Sequence, residues 1–271
     1  MNLLLWGTEI NESLFPVLEE IAAIGFTGVE VPIFDTQPER WRNWRKKLDE
    51  LRLERIAVTI NGPGYSLISP DASERKKTIE QNKAAIDCAA VLGSRFLTGP
   101  FHSALGVFSG KPATADELNY AAEGLHELSV HAAKNNIVLG LEYLNRFESY
   151  LVSCTDELIS LTKKADHPNC RIMFDTFHAN IEEKSIPDAI RKIGELLVHV
   201  QLSENDRGTL GAGHINFPEI LNTLSEIGYS GMLSIEAFSM KLAAANIWRP
   251  MFESETQLMK DSYKFLKNIT K

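Results

Sequence analysis

Residues 137–143 read Ile-Val-Leu-Gly-Leu-Glu-Tyr, 171–175 Arg-Ile-Met-Phe-Asp, 196–202 Leu-Leu-Val-His-Val-Gln-Leu and 232–236 Met-Leu-Ser-Ile-Glu. Each is an apolar run of strand length that ends, or nearly ends, on a polar residue. Between these runs the apolar period lengthens to that of a helix, at 155–165, 186–193 and 217–227. Thr155 stands in cap position for the first of these helices and Gly228 closes the last. Short buried runs alternating with helices imply parallel strands joined by right-handed crossovers.

The same alternation runs outward in both directions. Strands are predicted at 3–8, 28–33, 55–60 and 95–98. Helices are predicted at 14–24, 37–53, 73–92 and 115–134, with Gly25 and Gly93 as stops, and a last helix at 253–269. Eight strand–helix pairs with no spare block, in a chain of 271 residues, predict a single α/β domain over 1–271, a (β/α)8 TIM barrel. A doubly wound sheet lacks the Gly-X-Gly-X-X-Gly that would follow its first strand. The long connections at 61–72, 99–114, 203–216 and 237–252 all follow strands. They therefore lie over one rim, where long loops are usually functional.

Bulk properties narrow the partners. A formal net charge of −8 repels a phosphate backbone, so nucleic acid is not expected. The basic clusters Arg40, Arg42, Arg45, Lys46, Lys47 and Arg75, Lys76, Lys77 fall in helical segments and read as solvated faces. Cys88, Cys154 and Cys170 form no Cys-X-X-Cys pair, which argues against structural zinc and suits a reducing compartment. The first ten residues carry no basic leader region and no apolar run is long enough to span a bilayer. A cytoplasmic protein without a membrane partner is expected.

The chemistry of such a barrel sits at the C-terminal ends of its strands. Four consecutive predicted strands deliver Glu142, Asp175, Gln201 (with His199 two residues deeper) and Glu236 there. Taken singly, each acid also suits the first turn of a helix. Three carboxylates at one mouth repel unless a cation lies among them. Carboxylate and amide oxygens are hard ligands that suit one divalent metal, Mn²⁺ or Mg²⁺, with Co²⁺ as an option. Glu142 and Glu236 lie three steps apart around an eight-strand ring and approach from nearly opposite sides. They can take a proton from one face of a carbon and return one to the other, while the metal polarises a carbonyl and holds the enediolate.

Several stretches carry a family resemblance. They are Leu141-Glu142-Tyr143-Leu144-Asn145-Arg146-Phe147-Glu148, Phe174-Asp175-Thr176-Phe177-His178, Ser203-Glu204-Asn205-Asp206-Arg207-Gly208, Glu236-Ala237-Phe238, Trp248-Arg249 and Gly99-Pro100. Here the chain resembles the xylose-isomerase-like barrel superfamily, and within it the D-tagatose and D-psicose (D-allulose) 3-epimerases. The resemblance implies that Glu142, Asp175 and Glu236 bind the metal and that Glu142 and Glu236 exchange the substrate proton. It implies that Glu148, His178 and Arg207 bind the oxygens near C1 to C3. Trp6 lies where the family places an aromatic wall, with barrel packing as the alternative, and His102 reads as a solvated loop histidine. The resemblance also implies a homo-oligomer, a dimer or tetramer.

One position departs from that pattern. The epimerases carry a histidine ligand six residues before the arginine, and this chain has Gln201 there. A glutamine at this place is similar to the hydroxypyruvate-isomerase branch. It can ligate through its amide oxygen while its NH₂ donates to a neighbouring carboxylate. Ketose 3-epimerisation is the expected activity, with aldose–ketose isomerisation of the hydroxypyruvate-isomerase type as the alternative. A zinc nuclease of the endonuclease IV type would need histidines at the strand ends, where this chain has few. A non-catalytic sugar-binding barrel would have lost Glu142 or Glu236. Phosphorylated substrates lack an evident glycine-rich loop, Gly208, Gly211 and Gly213 being the nearest approach.

Overall fold

The computed structural model describes residues 1–270. Seven parallel strands follow one another in chain order around a barrel: β1 (Gly28–Pro32), β2 (Glu54–Val58), β3 (Phe96–Gly99), β4 (Val138–Leu141), β5 (Cys170–Asp175), β6 (Leu197–Leu202) and β7 (Leu233–Ile235). The helices α1 (Phe15–Ile24), α2 (Pro38–Glu50), α3 (Ala72–Leu92), α4 (Ala115–Lys134), α5 (Thr155–Ala165), α6 (Thr176–Glu182), α7 (Ile186–Ile193), α8 (Phe217–Glu226) and α9 (Glu255–Ile269) follow in sequence. Every residue of β1 is buried, as expected of a strand covered on both faces. The architecture is the predicted TIM barrel.

The eighth place in the ring is held by the first two residues rather than by a strand. The Glu30 N–H donates to the Met1 carbonyl at 3.0 Å, and the Asn2 N–H donates to the Ile235 carbonyl at 2.9 Å. Asn2 makes a single parallel bridge to Glu30. The expected strand at 3–8 is instead a 3₁₀ turn over Leu3–Trp6. The Asn2 side chain explains the diversion. Its oxygen accepts from the Leu4 N–H at 2.9 Å, and Gly7 ends the turn with φ 105. Leu3, Leu4 and Leu5 are all buried in this conformation, so the apolar run satisfies either shape.

Two further elements differ from the sequence reading. The second helix stops at Glu50 rather than 53, because Arg52 turns into left-handed backbone (φ 54) and releases the chain into β2. The short helix α6 was not expected at all. It starts directly on Asp175, whose Oδ1 accepts from the Phe177 N–H at 2.6 Å. That cap places His178 one turn beyond the tip of β5. Behind the site, Gly99 at the end of β3 has φ 125, and a Cβ there would lie 2.2 Å from the Thr59 carbonyl oxygen. Only glycine lets β3 pass so close and still offer its carbonyl to the Glu142 N–H, at 3.2 Å. No described helix is long and apolar enough to cross a membrane.

Candidate active site

A cavity of about 310 Å³ opens at the C-terminal ends of the strands, and Glu142, Gln201, Glu236, Glu148, His178 and Arg207 all line it. Each is delivered by a short, well-anchored piece of chain. Glu142 is the first residue after β4. Asp175 ends β5 and pairs in register with Gln201 of β6. Glu236 follows β7, and its N–H donates to the Leu202 carbonyl at 3.0 Å. Arg207 sits in the loop after β6 with φ 62, an uncommon backbone conformation for a long side chain. Its guanidinium lies between two rings, 3.9 Å from the Phe177 centroid and 4.6 Å from that of Phe238.

The charges in this pocket are far from balanced. Arg207 Nη1 donates to Asp175 Oδ2 at 2.6 Å and to Glu236 Oε2 at 2.5 Å. One guanidinium thus faces three buried carboxyls, Glu142, Asp175 and Glu236. Burial raises the Glu142 carboxyl well above its ordinary range, and the Asp175 charge adds to this. Glu236 is likewise held well above its ordinary value, by burial first, against the opposing pull of Arg207. Burial is the largest effect on Asp175 and pushes it upward, but the charge of Arg207, together with His178 and the hydrogen bonds from Glu236 and the Phe177 N–H, leaves that carboxyl lowered. Arg207 is raised despite its burial, by Asp175 and Glu236. Two carboxyls pushed upward chiefly by burial, with neighbouring acids adding to it, are what a divalent cation relieves.

Glu142, Asp175 and His178 each offer one ligand atom within 4.8 Å of the others, so this buried cluster suits a metal ion. His178 Nε2 lies 3.5 Å from Glu142 Oε1 and 4.0 Å from Asp175 Oδ2. Its other nitrogen settles the tautomer. The backbone N–H of Asn145 donates to Nδ1 at 3.0 Å, and the Asn145 side-chain Nδ2 lies 2.9 Å from the same atom. Asn145 Oδ1 accepts from the Phe147 N–H at 3.0 Å, which fixes that amide's orientation. Nδ1 is therefore an acceptor and Nε2 carries the hydrogen. Burial holds the His178 pKa down at about 4, with the Arg207 charge contributing, so the ring is neutral. Nε2 also lies 3.1 Å from Arg207 Nη2, donor against donor.

The remaining expected residues fall into place differently. Glu148 Oε1 accepts from Asn145 Nδ2 at 2.8 Å, on the cavity wall. Trp6 is half-buried and packs on the core, and from its segment Leu4 and Thr8 reach the cavity. His102 is not solvated. It is fully buried, its Nε2 bonds the Glu142 carbonyl at 2.9 Å and its Nδ1 meets Ser103 Oγ at 3.0 Å. The carbonyl can only accept, so Nε2–H donates and the ring braces the backbone of Glu142. The signal for this was present but faint: a Phe-His-Ser run directly after a strand, in a loop too long to be idle.

Two residues that shape the site were not singled out from sequence. Asn2 Nδ2 donates to Glu236 Oε1 at 2.6 Å. Glu30, fully buried in β1, accepts from Gln201 Nε2. A lone acid inside the wholly apolar run Val29-Glu30-Val31 could have been flagged. For Asn2 nothing local could have served.

Comparison with known proteins agrees with this geometry. The chain matches the xylose isomerase-like TIM barrel family over residues 18–269. It is 38% identical over 271 residues to the D-psicose 3-epimerase of Enterocloster bolteae, covering 95% of this chain and 89% of that protein. It is 26% identical over 252 residues to the L-ribulose 3-epimerase of Methylomonas sp., covering 91% and 88%. A solved L-ribulose 3-epimerase structure superposes with a TM-score of 0.94 at 26% identity, over 99% of this chain and 93% of that one. The barrel, the buried acids at its mouth and these likenesses together make the chain a member of the xylose isomerase-like TIM barrel family, among the ketose 3-epimerases.

Proposed function

We propose that the protein is a metal-dependent ketose 3-epimerase that moves the C3 proton of a keto-sugar. One observation carries this reading: Glu142 and Glu236, three strands apart, line the same cavity, both buried and both held well above the ordinary carboxylate range. The Enterocloster relative supports the reaction class. Relatives acting on L-ribulose and on D-psicose leave the sugar itself to be found.

The donor set fits a hard divalent cation, Mn²⁺ first, with Mg²⁺ and Co²⁺ as alternatives. Glu142, Asp175 and Glu236 supply carboxylate oxygens. The fourth oxygen is Gln201 Oε1, which is buried and has no hydrogen-bond partner among the described residues. The tautomer of His178 favours a donor to substrate over a ligand. When bound, the ion polarises the C2 carbonyl and offsets the charge that deprotonation leaves behind.

The chain's own residues do the rest. Glu142 takes the C3 proton from one face of the sugar and Glu236 returns one to the other, with the roles exchanged in reverse. His178 and Arg207, both on the cavity wall, donate to oxygens of the C1–C3 portion, and Glu148 accepts from a hydroxyl there. Trp6 takes the packing role, behind the wall that Leu4 and Thr8 present. Assembly as a dimer or tetramer belongs to the same reading, and light scattering tests it.

Incubation with Mn²⁺ and D-fructose, D-tagatose or D-ribulose in D₂O tests the reaction. Deuterium is expected at C3 of at least one ketose, with its C3 epimer appearing. Incorporation instead at the carbon next to an aldehyde, with carbonyl isomers interconverting, would favour the aldose–ketose isomerase reading that Gln201 suggests.

A pH dependence follows from the raised carboxyls. Glu142 and Glu236 hold protons above the ordinary carboxylate range, and an ion must displace them. Mn²⁺ affinity is therefore expected to fall as pH drops through the raised values and to climb as pH rises. Protons should be released on binding, seen by calorimetry in buffers of different ionisation enthalpy. An affinity that does not climb as pH rises above the ordinary carboxylate range would contradict the assignment.

A further inference from the structure

Glu30 takes no part in the proton transfer, yet it lies on the barrel axis side of the site and is completely buried. Its Oε1 is hydrogen-bonded to His199 Nε2. Both of its oxygens accept from Gln201 Nε2, each at 3.1 Å. The same Nε2 also donates to Glu236 Oε1 at 3.0 Å. An amide nitrogen has two hydrogens, and here one goes to each carboxylate.

This arrangement leaves the Gln201 amide one tolerable orientation. Turned over, it would set its carbonyl oxygen against the oxygens of both Glu30 and Glu236, none of which has a hydrogen to offer when ionised. In the observed orientation Oε1 is the one polar atom of Gln201 without a partner, in a residue that lines the cavity.

We infer that Glu30 is a positioning residue that locks the Gln201 amide with its nitrogen on the two carboxylates and its carbonyl oxygen offered to the metal. The inference rests on Gln201 as a ligand, the reading proposed above. It gives the site a neutral, hard oxygen at a place where a histidine would supply a nitrogen. Glu30, with His199 behind it, is what stops that oxygen from turning away.

Charge counting and amide orientation predict opposite outcomes for one substitution. Gln201→Glu adds a negative charge to a cation site, so charge alone would tighten Mn²⁺ binding. If orientation by Glu30 governs, the new carboxylate has no hydrogen for Glu30 or Glu236, and binding should weaken about tenfold or more. Glu30→Gln should weaken it by a similar factor. The reciprocal pair Glu30→Gln/Gln201→Glu restores a donor facing an acceptor. It should bind Mn²⁺ at least about tenfold more tightly than Gln201→Glu alone.

The measurement is Mn²⁺ titration of metal-free protein by calorimetry, with free ion counted by electron paramagnetic resonance. Thermal midpoints follow any single variant that folds poorly, and the pair should recover them. Unchanged affinity in Glu30→Gln, tighter binding in Gln201→Glu, or a pair that stays unfolded or binds no better than Gln201→Glu each overturns the inference. Gln201→Ala separates the two layers. If it weakens binding and Glu30→Gln does not, only the positioning role falls. If Gln201→Ala changes nothing, or the wild-type protein binds no Mn²⁺, Gln201 is no ligand and both readings fall.

Discussion

Glu236→Gln is expected to lower the rate of C3 epimerisation by about 10²–10⁴-fold, the range lost with a general acid–base group. The amide keeps the shape of the carboxyl but can neither accept the C3 proton nor return it. Glu142→Gln should fall by a similar factor. The two variants are expected to differ in isotope exchange. In each, the surviving carboxyl can still take the proton of the epimer that presents its C3–H to that side. Proton NMR in D₂O should show exchange at C3 of one epimer, a different one for each variant, while the other epimer is hardly formed. Because both residues are also proposed ligands, bound Mn²⁺ must be counted beside the rate. A variant with full metal and more than roughly a tenth of wild-type turnover would remove that glutamate from the chemistry.

Arg207→Met carries the largest expected effect on stability. Among the described residues Arg207 is the one cation hydrogen-bonded to both Asp175 and Glu236, inside a site where all three are buried. Removing one partner of a buried ion network costs about 3–5 kcal/mol, because charge is left behind without compensation. At roughly 2–4 °C per kcal/mol for a chain approaching this size, the metal-free protein should melt about 6–20 °C lower. The methionine keeps much of the packing between Phe177 and Phe238 that the guanidinium has, so the loss is chiefly electrostatic. Mn²⁺ should restore part of it, since an ion bound to the folded state supplies the missing positive charge. A melting point unchanged in the absence of metal would mean that the carboxyls are neutral there and need no cation.

The residues that were legible from sequence share one property. Glu142, Asp175, Gln201 and Glu236 each end, or nearly end, an apolar run, and the alternation of periods says which end of each run faces the rim. Asp175 also caps α6, which is the helix-terminus reading open to each acid taken singly. The misses have the opposite character. His102 lies in a loop, where no period tells a buried ring from a solvated one; its partner in the interior is the carbonyl of Glu142, 40 residues away. The 3–8 segment has the apolar density of a strand, but one side-chain hydrogen bond from Asn2 turns it into a 3₁₀ helix. Trp6 follows that turn onto the core.

Local sequence determined the period of every helix but α6, most strand positions and therefore which acids could gather at one mouth, because burial on a helix or a strand is a pattern written within a dozen residues. Tertiary structure alone decided the partnerships: Asn2 with Glu236 across 234 residues and Glu30 with His199 across 169. Those pairs exist because closing the ring sets the first residues against the last strand in one register. The orientation of the Gln201 amide depends on that closure, since the two carboxylates that hold it arrive from opposite ends of the chain.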